Sequence, residues 1–240
     1  MKLMKYPPSA ERARLSEVFS SLQGEGIHAG ERHLFVRFEE CHIHCRYCDE
    51  LGKPGEERNL DALLAEIAEL EKREGPHRFV SFTGGEPLLY LKFLKPLMQR
   101  LRERGMKNYL ETDGILWPAL EQVIDLCDCI SMDMKPSSVT GEKNFEAEHE
   151  KFLQIARRRE TYVKFVLSKD IDIPEFERLV AVVKRTAPEV PVVLQPLSSE
   201  REGHEDDQLM KLLGELQTLA LQQVQDVRII PRLHRILKIR

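Results

Sequence analysis

Residues 35–52 read FVRFEECHIHCRYCDELG and place three cysteines within eight residues, Cys41-x3-Cys45-x2-Cys48, behind a short apolar run. Thiolates spaced this closely can surround one compact metal centre, because a short loop can curl around it. Zinc is one occupant, but structural zinc sites close four ligands, usually as two Cys/His pairs, and here the second pair is missing. His42 and His44 are interleaved with the cysteines and tend to point away from a shared centre in so tight a loop. His28 or His33 could supply a fourth ligand, so zinc stays open. An iron–sulfur cluster normally takes four cysteines. Held by three, a [4Fe–4S] cube keeps one iron free to bind something else, which is what a catalytic centre needs.

Short apolar runs at 33–38, 78–82, 107–111, 129–133, 162–167, 190–195 and 226–230 have the composition of strands. Between them lie helical patterns. The segment 59–75 sets Leu60, Leu63, Leu64, Ile67 and Leu70 on one face, with Asn59 as N-cap and Gly75 past the end. Others fall at 88–105, 118–127, 173–188 and 206–223. The alternation predicts the α/β class, βα units around a parallel sheet, either doubly wound or a full or partial barrel. The unusual residues cluster after the strands: CHIHCRYCDE after the first, TGGEP (83–87) after the second, then TDG, MKPSS, SKD and QPLSS. In parallel barrels and sheets that rim carries the chemistry, so an enzyme is favoured over a binding module.

The 240 residues suit a single domain, with 42% apolar and 32% charged residues and a net charge of -4. Such a balance gives no sign of a nucleic-acid surface. The first residues lack the apolar core of a signal peptide and no run of eighteen apolar residues occurs, so a soluble cytoplasmic protein without membrane contact is expected. The five cysteines are then expected to be reduced, metal-bound or buried.

The C-x3-C-x2-C loop, with Tyr47 before its last cysteine and TGGEP behind the second strand, resembles the radical S-adenosylmethionine (SAM) superfamily. That resemblance implies a partial (β/α)6 barrel with outer helices, a [4Fe–4S] cluster on Cys41, Cys45 and Cys48, and SAM bound at the free iron. It also implies one-electron cleavage of SAM to a 5′-deoxyadenosyl radical that abstracts hydrogen from substrate. Gln23-Gly24-Glu25-Gly26 and Arg37, with LETDG (110–114), DMKPSS (133–138), VVLQP (192–196) and VRIIPRLHRIL (227–237), resemble the 7-carboxy-7-deazaguanine synthase family over nearly the whole chain. Members contract the ring of a carboxy-tetrahydropterin. The family pattern implies that Leu22, Gln23, Gly24, Glu25, Arg37 and Thr83 touch substrate. It implies SAM contacts from Tyr47, Asp49, Gly84, Gly85, Glu86, Glu111, Asp133, Met134, Lys135 and Gln195, with Glu86 accepting from the SAM amino group.

Three departures stand out. Glu50 replaces the hydroxyl residue that resembles a Mg2+ ligand in the family, and a carboxylate there is expected to bind Mg2+ more tightly. Asp133-Met134-Lys135 stands where members often have Ser-Pro-Lys, and the tail ends RILKIR instead of in aromatic residues. The resemblance also implies a one-electron donor such as flavodoxin or ferredoxin and a homodimer. It divides the chain into an N-terminal substrate-binding extension (1–32), a barrel core (33–195) and a C-terminal cap (196–240). Two other readings are a radical SAM activase of a glycyl-radical protein and a zinc-stabilised binding protein without a reaction.

The remaining residues have plainer readings. Cys127 and Cys129 are expected to be buried core thiols, although a second metal is conceivable. His28, His33, His149 and His204 are expected to be solvated loop or surface residues. Arg228, Arg232, Arg235, Lys238 and Arg240 alternate with apolar residues, as in a packed terminal segment with a solvated face.

Overall fold

A computed structural model describes residues 9–50, 52–197 and 206–239. Nine strands form one open sheet in the order β3-β1-β2-β4-β5-β6-β7-β8-β9. They are β1 (Arg12–Leu22), β2 (Arg32–Phe38), β3 (Glu56–Asn59), β4 (Phe79–Gly84), β5 (Asn108–Thr112), β6 (Cys129–Asp133), β7 (Glu160–Leu167), β8 (Val192–Pro196) and β9 (Val227–Ile229). From β2 through β4 to β9 every pairing is parallel; β1 and β3 extend the β2 edge antiparallel. The strands read from the sequence are present within two residues at each end. The eleven-residue β1 and the four-residue β3 are the additions: in β1 a register shift between Leu15 and Glu17 breaks the alternation begun at Ala13 and Leu15, and β3, Glu-Glu-Arg-Asn, has no apolar residue.

Helices α1 (Leu60–Glu74), α2 (Leu91–Glu103), α3 (Trp117–Leu120), α4 (Ser137–Thr140), α5 (Glu146–Ala156), α6 (Ile173–Thr186), α7 (Asp207–Leu221) and α8 (Leu233–Leu237) cross between strands or follow them. Asn59 caps α1 by accepting from the backbone of Asp61 at 2.9 Å, and Leu63, Leu64, Ile67 and Leu70 are buried as the pattern requires. The helix expected over 118–127 shrinks to α3 and a 3-10 turn at Ile124–Leu126. Helix α5 was not foreseen; its inward face is only His149, Phe152, Leu153 and Ala156. No helix among the described residues is long and apolar enough to cross a membrane.

Strand alternation builds the site. On β4 to β8, Val80, Phe82, Leu110, Ile130, Met132, Val163, Phe165, Val192 and Leu194 belong to the main apolar core shared with the helices. The alternate residues fill the inside of the sheet. On β7 these are Tyr162, Lys164 and Val166; on β6, Cys129, Ser131 and Asp133; on β5, Tyr109 and Glu111; on β2, His33, Phe35 and Arg37. The register sets Asp133 opposite Lys164 and Arg37 opposite Thr83 near the strand ends, and Cys129 opposite Glu160 at the strand starts. Charge therefore gathers at the carboxyl rim and aromatic rings at the amino rim.

Candidate active site

The loop after β2 holds the three cysteines at a cavity of about 240 Å3. Cys45 is buried, Cys41 half-buried and Cys48 exposed. The loop is pinned from several sides. The Cys48 backbone N–H donates to the Cys45 carbonyl at 3.1 Å, Arg46 N–H to Thr140 O at 2.9 Å, and His44 N–H to Glu142 Oε1 at 2.6 Å. The His42 ring lies 2.6 Å from Asp113 Oδ2, so a carboxylate, not a metal, orients it. The glycine pair of TGGEP presses on this loop: a Cβ at Gly85 would meet Glu40 O and Cys41 N, and one at Gly84, where φ is +101°, would meet Phe38 O. Gly85 N–H and Glu86 N–H donate to Phe38 O and Glu40 O at 2.8 and 2.9 Å.

The loop fits a cluster better than a single ion. Around one zinc, ligand sulfurs draw to within about 4 Å of one another. The sulfurs of Cys41, Cys45 and Cys48 do not all lie within 4.8 Å of one another, so they are not drawn together around one ion. His28 and His33, the candidate fourth zinc ligands, sit at the opposite end of the strands. Burial pushes the Cys41 and Cys45 thiols up, with Lys135 opposing; the positive charge of bound irons would reverse that preference. Of the buried cavity atoms that lack a hydrogen-bond partner in the protein, Tyr47 Oη and Gln195 Oε1 belong to uncharged side chains with no ion pair, which leaves them for a bound group.

Beneath the loop lies a buried charge network. Lys164, 5% exposed, pairs with Glu25 and stands 3.2 Å from Asp133 Oδ1, while Lys135 Nζ is 2.6 Å from Asp133 Oδ2 and 5.8 Å from the Tyr47 ring centre. Burial works against ionisation in each group, but the partners outweigh it. Glu25 and Asp133 are held below the usual carboxylate range, and Lys135 and Lys164 above the usual amine range. Beside this network Gln23 Nε2 donates to Glu111 Oε1 at 2.8 Å, and Thr83 Oγ1 donates to Glu111 Oε2 at 2.7 Å. Burial raises the Glu111 pKa despite Lys164.

Arg37 closes another wall. Its Nη1 lies 2.9 Å from both Glu17 Oε2 and Glu50 Oε1, and its guanidinium stacks 5.2 Å from the Phe19 ring centre. Leu22, Gly24, Gly84 and Asp49 also line the cavity. The C-terminal segment folds over it: Leu233 N–H donates to Gly24 O at 2.8 Å, and a Cβ on Gly24 would strike His234. Asp49 Oδ2 is held by Arg232 at 3.0 Å and Arg235 at 3.2 Å. Burial notwithstanding, Arg232 keeps the Asp49 carboxyl below its usual range.

Two expected contacts are turned away. Glu86 is fully buried; its carboxylate accepts from Thr112 Oγ1, Asp113 N–H and Leu88 N–H at 2.8–3.0 Å, so it ties loops together and does not reach into the cavity. Burial and the nearby Asp113 push its pKa well above the usual range. Met134 is buried in the apolar core.

Residues 35–167 match the Radical SAM superfamily. The 7-carboxy-7-deazaguanine synthase of Geobacter sulfurreducens is 35% identical over 243 residues, covering 93% of this chain and 96% of that protein. This chain belongs to the 7-carboxy-7-deazaguanine synthase family. The synthase of Methanopyrus kandleri is 33% identical over 241 residues, covering 92% of this chain and 91% of the relative. In fold, the crystal structure of QueE from Escherichia coli is similar with a TM-score of 0.63 at 20% identity, over 93% of this chain and 95% of that one.

Among the cavity residues that escaped the sequence reading, four are ionisable: Lys164, Arg232, His234 and Asp113. Lys164 lies inside a run read only as a strand, and its signal was the alternation Tyr162-x-Lys164-x-Val166. Arg232 was read only within a packed terminal segment with a solvated face and His234 was not singled out, yet Arg232 is 9% exposed and both line the cavity. Asp113 had been passed over within LETDG. Three histidines expected at the surface are buried: His28 and His33 among aromatic rings at the amino rim, and His149 under Asp113 O at 3.2 Å. Cys127 and Cys129 are buried thiols, as read. His204 and Arg240 lie outside the described residues.

Proposed function

We propose that this protein converts 6-carboxy-5,6,7,8-tetrahydropterin to 7-carboxy-7-deazaguanine with loss of ammonia, in 7-deazapurine biosynthesis. One observation carries the substrate reading: Gln23, Glu25, Glu111 and Arg37 converge on the cavity that holds the cysteine loop. A pterin edge presents adjacent amide and amine groups, which a carboxamide and a carboxylate can read, and a guanidinium can fork onto the substrate carboxylate. When bound, the [4Fe–4S] cluster with SAM supplies the radical that abstracts substrate hydrogen. Cys41, Cys45 and Cys48 would hold that cluster, and Tyr47, Gly85, Asp133, Lys135 and Gln195 would surround SAM. The protein's own part is positional. Thr83 and Gln23 fix the Glu111 carboxylate, Lys164 fixes Glu25 and Asp133, and the Leu233–Gly24 hydrogen bond holds the C-terminal segment against the substrate side.

The exposed Cys48 gives a flavodoxin- or ferredoxin-class donor a short path to the cluster. The exposed Ile236, Leu237 and Ile239 near the C-terminus supply an apolar patch for a homodimer contact. Mg2+ fits less well than expected. Glu50, the residue expected at the metal, has its Oε1 taken by Arg37 Nη1 at 2.9 Å and Lys53 Nζ at 2.7 Å, so side-chain cations already sit against that carboxylate. Turnover titrated with Mg2+ should therefore be superimposable for wild type and Glu50→Gln. A higher Mg2+ requirement in the variant returns the metal to Glu50.

The deciding experiment is anaerobic turnover by the reconstituted protein. 5′-Deoxyadenosine formation should be stimulated by carboxy-tetrahydropterin and accompanied by the deazapurine acid. Stimulation by a glycine-bearing protein instead would establish the activase reading, and a colourless protein without iron and sulfide would leave only the zinc reading.

A further inference from the structure

The end of the sheet farthest from the cysteine loop carries a second set of donors that the reaction does not use. His28 lies in the turn before β2, Cys129 begins β6 and Glu160 begins β7. One ring nitrogen, the thiol sulfur and one carboxylate oxygen of these residues all lie within 4.8 Å of one another. His28 Nε2 is 3.2 Å from Glu160 Oε1, and His28 Nδ1 is 3.0 Å from Glu31 Oε2.

We propose that His28, Cys129 and Glu160 form a second metal site, for zinc or a similarly borderline-soft divalent ion, separate from the cluster. Thiolate, imidazole and carboxylate are a zinc donor set, whereas hard ions such as Mg2+ avoid the thiolate. Metal–ligand bonds of about 2.0 and 2.3 Å at tetrahedral angles put ligand atoms about 3.3–3.6 Å apart. The His28–Glu160 separation already meets that figure. The sulfur needs to approach by about 1 Å at most, and Glu160, 51% exposed, can follow.

Hydrogen bonding points to the same place. A neutral imidazole has one N–H, and donation to Glu31 uses it at Nδ1. Nε2 then offers a lone pair to a second carboxylate oxygen, an arrangement of two acceptors that a cation between them resolves. Glu31 stands where carboxylates commonly stand behind metal-bound histidines, fixing the tautomer. His33, fully buried, has its Nε2 unpartnered and 3.7 Å from the same Glu31 oxygen. With three protein ligands, the fourth position opens beside the exposed Glu160 and takes water. The ion would join the turn before β2 to β6 and β7, which β4 and β5 separate from β2 in the sheet, and so would brace the amino end of an open barrel.

The test uses full-length chain carrying Cys41→Ala, Cys45→Ala and Cys48→Ala, so that the cluster loop cannot scavenge metal. Co2+ should bind at one equivalent and show a thiolate-to-cobalt charge-transfer band. Adding Cys129→Ser should abolish the band and weaken binding at least tenfold; Glu160→Gln should weaken it several-fold; Cys127→Ser should change neither. Zn2+ should raise the Tm of the triple variant by several degrees and raise it less once Cys129 is replaced. In iron-loaded wild type, one zinc per chain should accompany the cluster after dialysis against a weak chelator. Circular dichroism of the metal-free variants verifies folding, and His28→Gln replaces Cys129→Ser if the serine variant unfolds. No cobalt band in the folded triple variant, or a band that survives both Cys129→Ser and His28→Gln, overturns the site and leaves His28 a ring held between two carboxylates.

Discussion

The two ends of the sheet are lined by the same strands and yet differ in chemistry. At the carboxyl end Arg37, Thr83, Glu111, Asp133 and Lys164 face a cavity, and each polar group is held by another side chain. At the amino end His33, Phe79, Tyr109 and Tyr162 pack ring on ring, with the tyrosine hydroxyls 2.6 Å apart. A step of two or four residues along one strand separates the regimes, as Tyr162 to Lys164 or Cys129 to Asp133 shows. The lesson is that catalysis and bracing share a scaffold without sharing residues, because alternate positions point inward and their depth selects the environment.

The largest effect is expected at the cluster loop. Replacing Cys41, Cys45 or Cys48 by Ala should remove iron loading and reduce SAM cleavage to background, while Cys127→Ser, away from the cavity, leaves both intact. Iron and sulfide analysis with deoxyadenosine assays decides, and an alanine variant with a full cluster spectrum would falsify the assignment.

Next comes the buried network. Lys164→Met leaves Glu25 without its paired cation, while Asp133 keeps Lys135, and removing one partner of a buried pair costs about 3–5 kcal/mol. At the amino end Tyr109→Phe removes one hydrogen bond to Tyr162, worth about 1 kcal/mol. Urea unfolding of both variants tests the contrast between the ends. Equal losses would erase it.

Arg37→Ala should raise the substrate KM roughly ten- to hundredfold, from loss of a charge-assisted contact of about 1.5–3 kcal/mol, while slow uncoupled SAM cleavage continues. Arg37→Lys should recover part of the loss, since an ammonium cannot fork onto a carboxylate. An unchanged KM in the alanine variant would move the substrate carboxylate elsewhere in the cavity.

The effect confined to acid conditions is a pH dependence of stability. Burial lowers the His149 pKa from 6.5 to about 4. The unfolded chain therefore takes up a proton that the folded chain refuses. Stability from this residue is complete above pH 6.5 and falls as the pH drops toward 4, by about 2–3 kcal/mol between pH 7 and 4.5. His149→Gln should flatten the unfolding free energy over that window. If wild type and variant lose stability in parallel, the acid sensitivity lies elsewhere.

What could be read from the chain was what lies close together in it. Cys41, Cys45 and Cys48, the glycine pair of TGGEP and the QGEG segment carry their chemistry in consecutive residues. The helices with regular apolar faces, such as α1 and α6, were legible for the same reason, since period and caps are local. Strand β1 was lost because a bulge at Leu15/Glu17 and interleaved polar residues blur its alternation. The cavity's charge pattern was lost because its partners are distant: Arg232 reaches Asp49 across 183 residues, and Lys164 reaches Glu25 across 139. Burial of His28 was hidden likewise, with Glu160 lying 132 residues away.

By itself, then, the sequence determined the alternation of strands and helices, the three-cysteine loop and the glycines that let β4 approach it, because each depends on neighbouring residues and local backbone freedom. The tertiary structure alone decided which charges survive burial. Lys164 stays charged because Asp133 and Glu25 are folded against it, and Glu86 turns inward because Thr112 and two backbone N–H groups satisfy it there. A side chain's ionisation and reach are set by what surrounds it in space, and only parallel pairing of strands remote in sequence creates those surroundings.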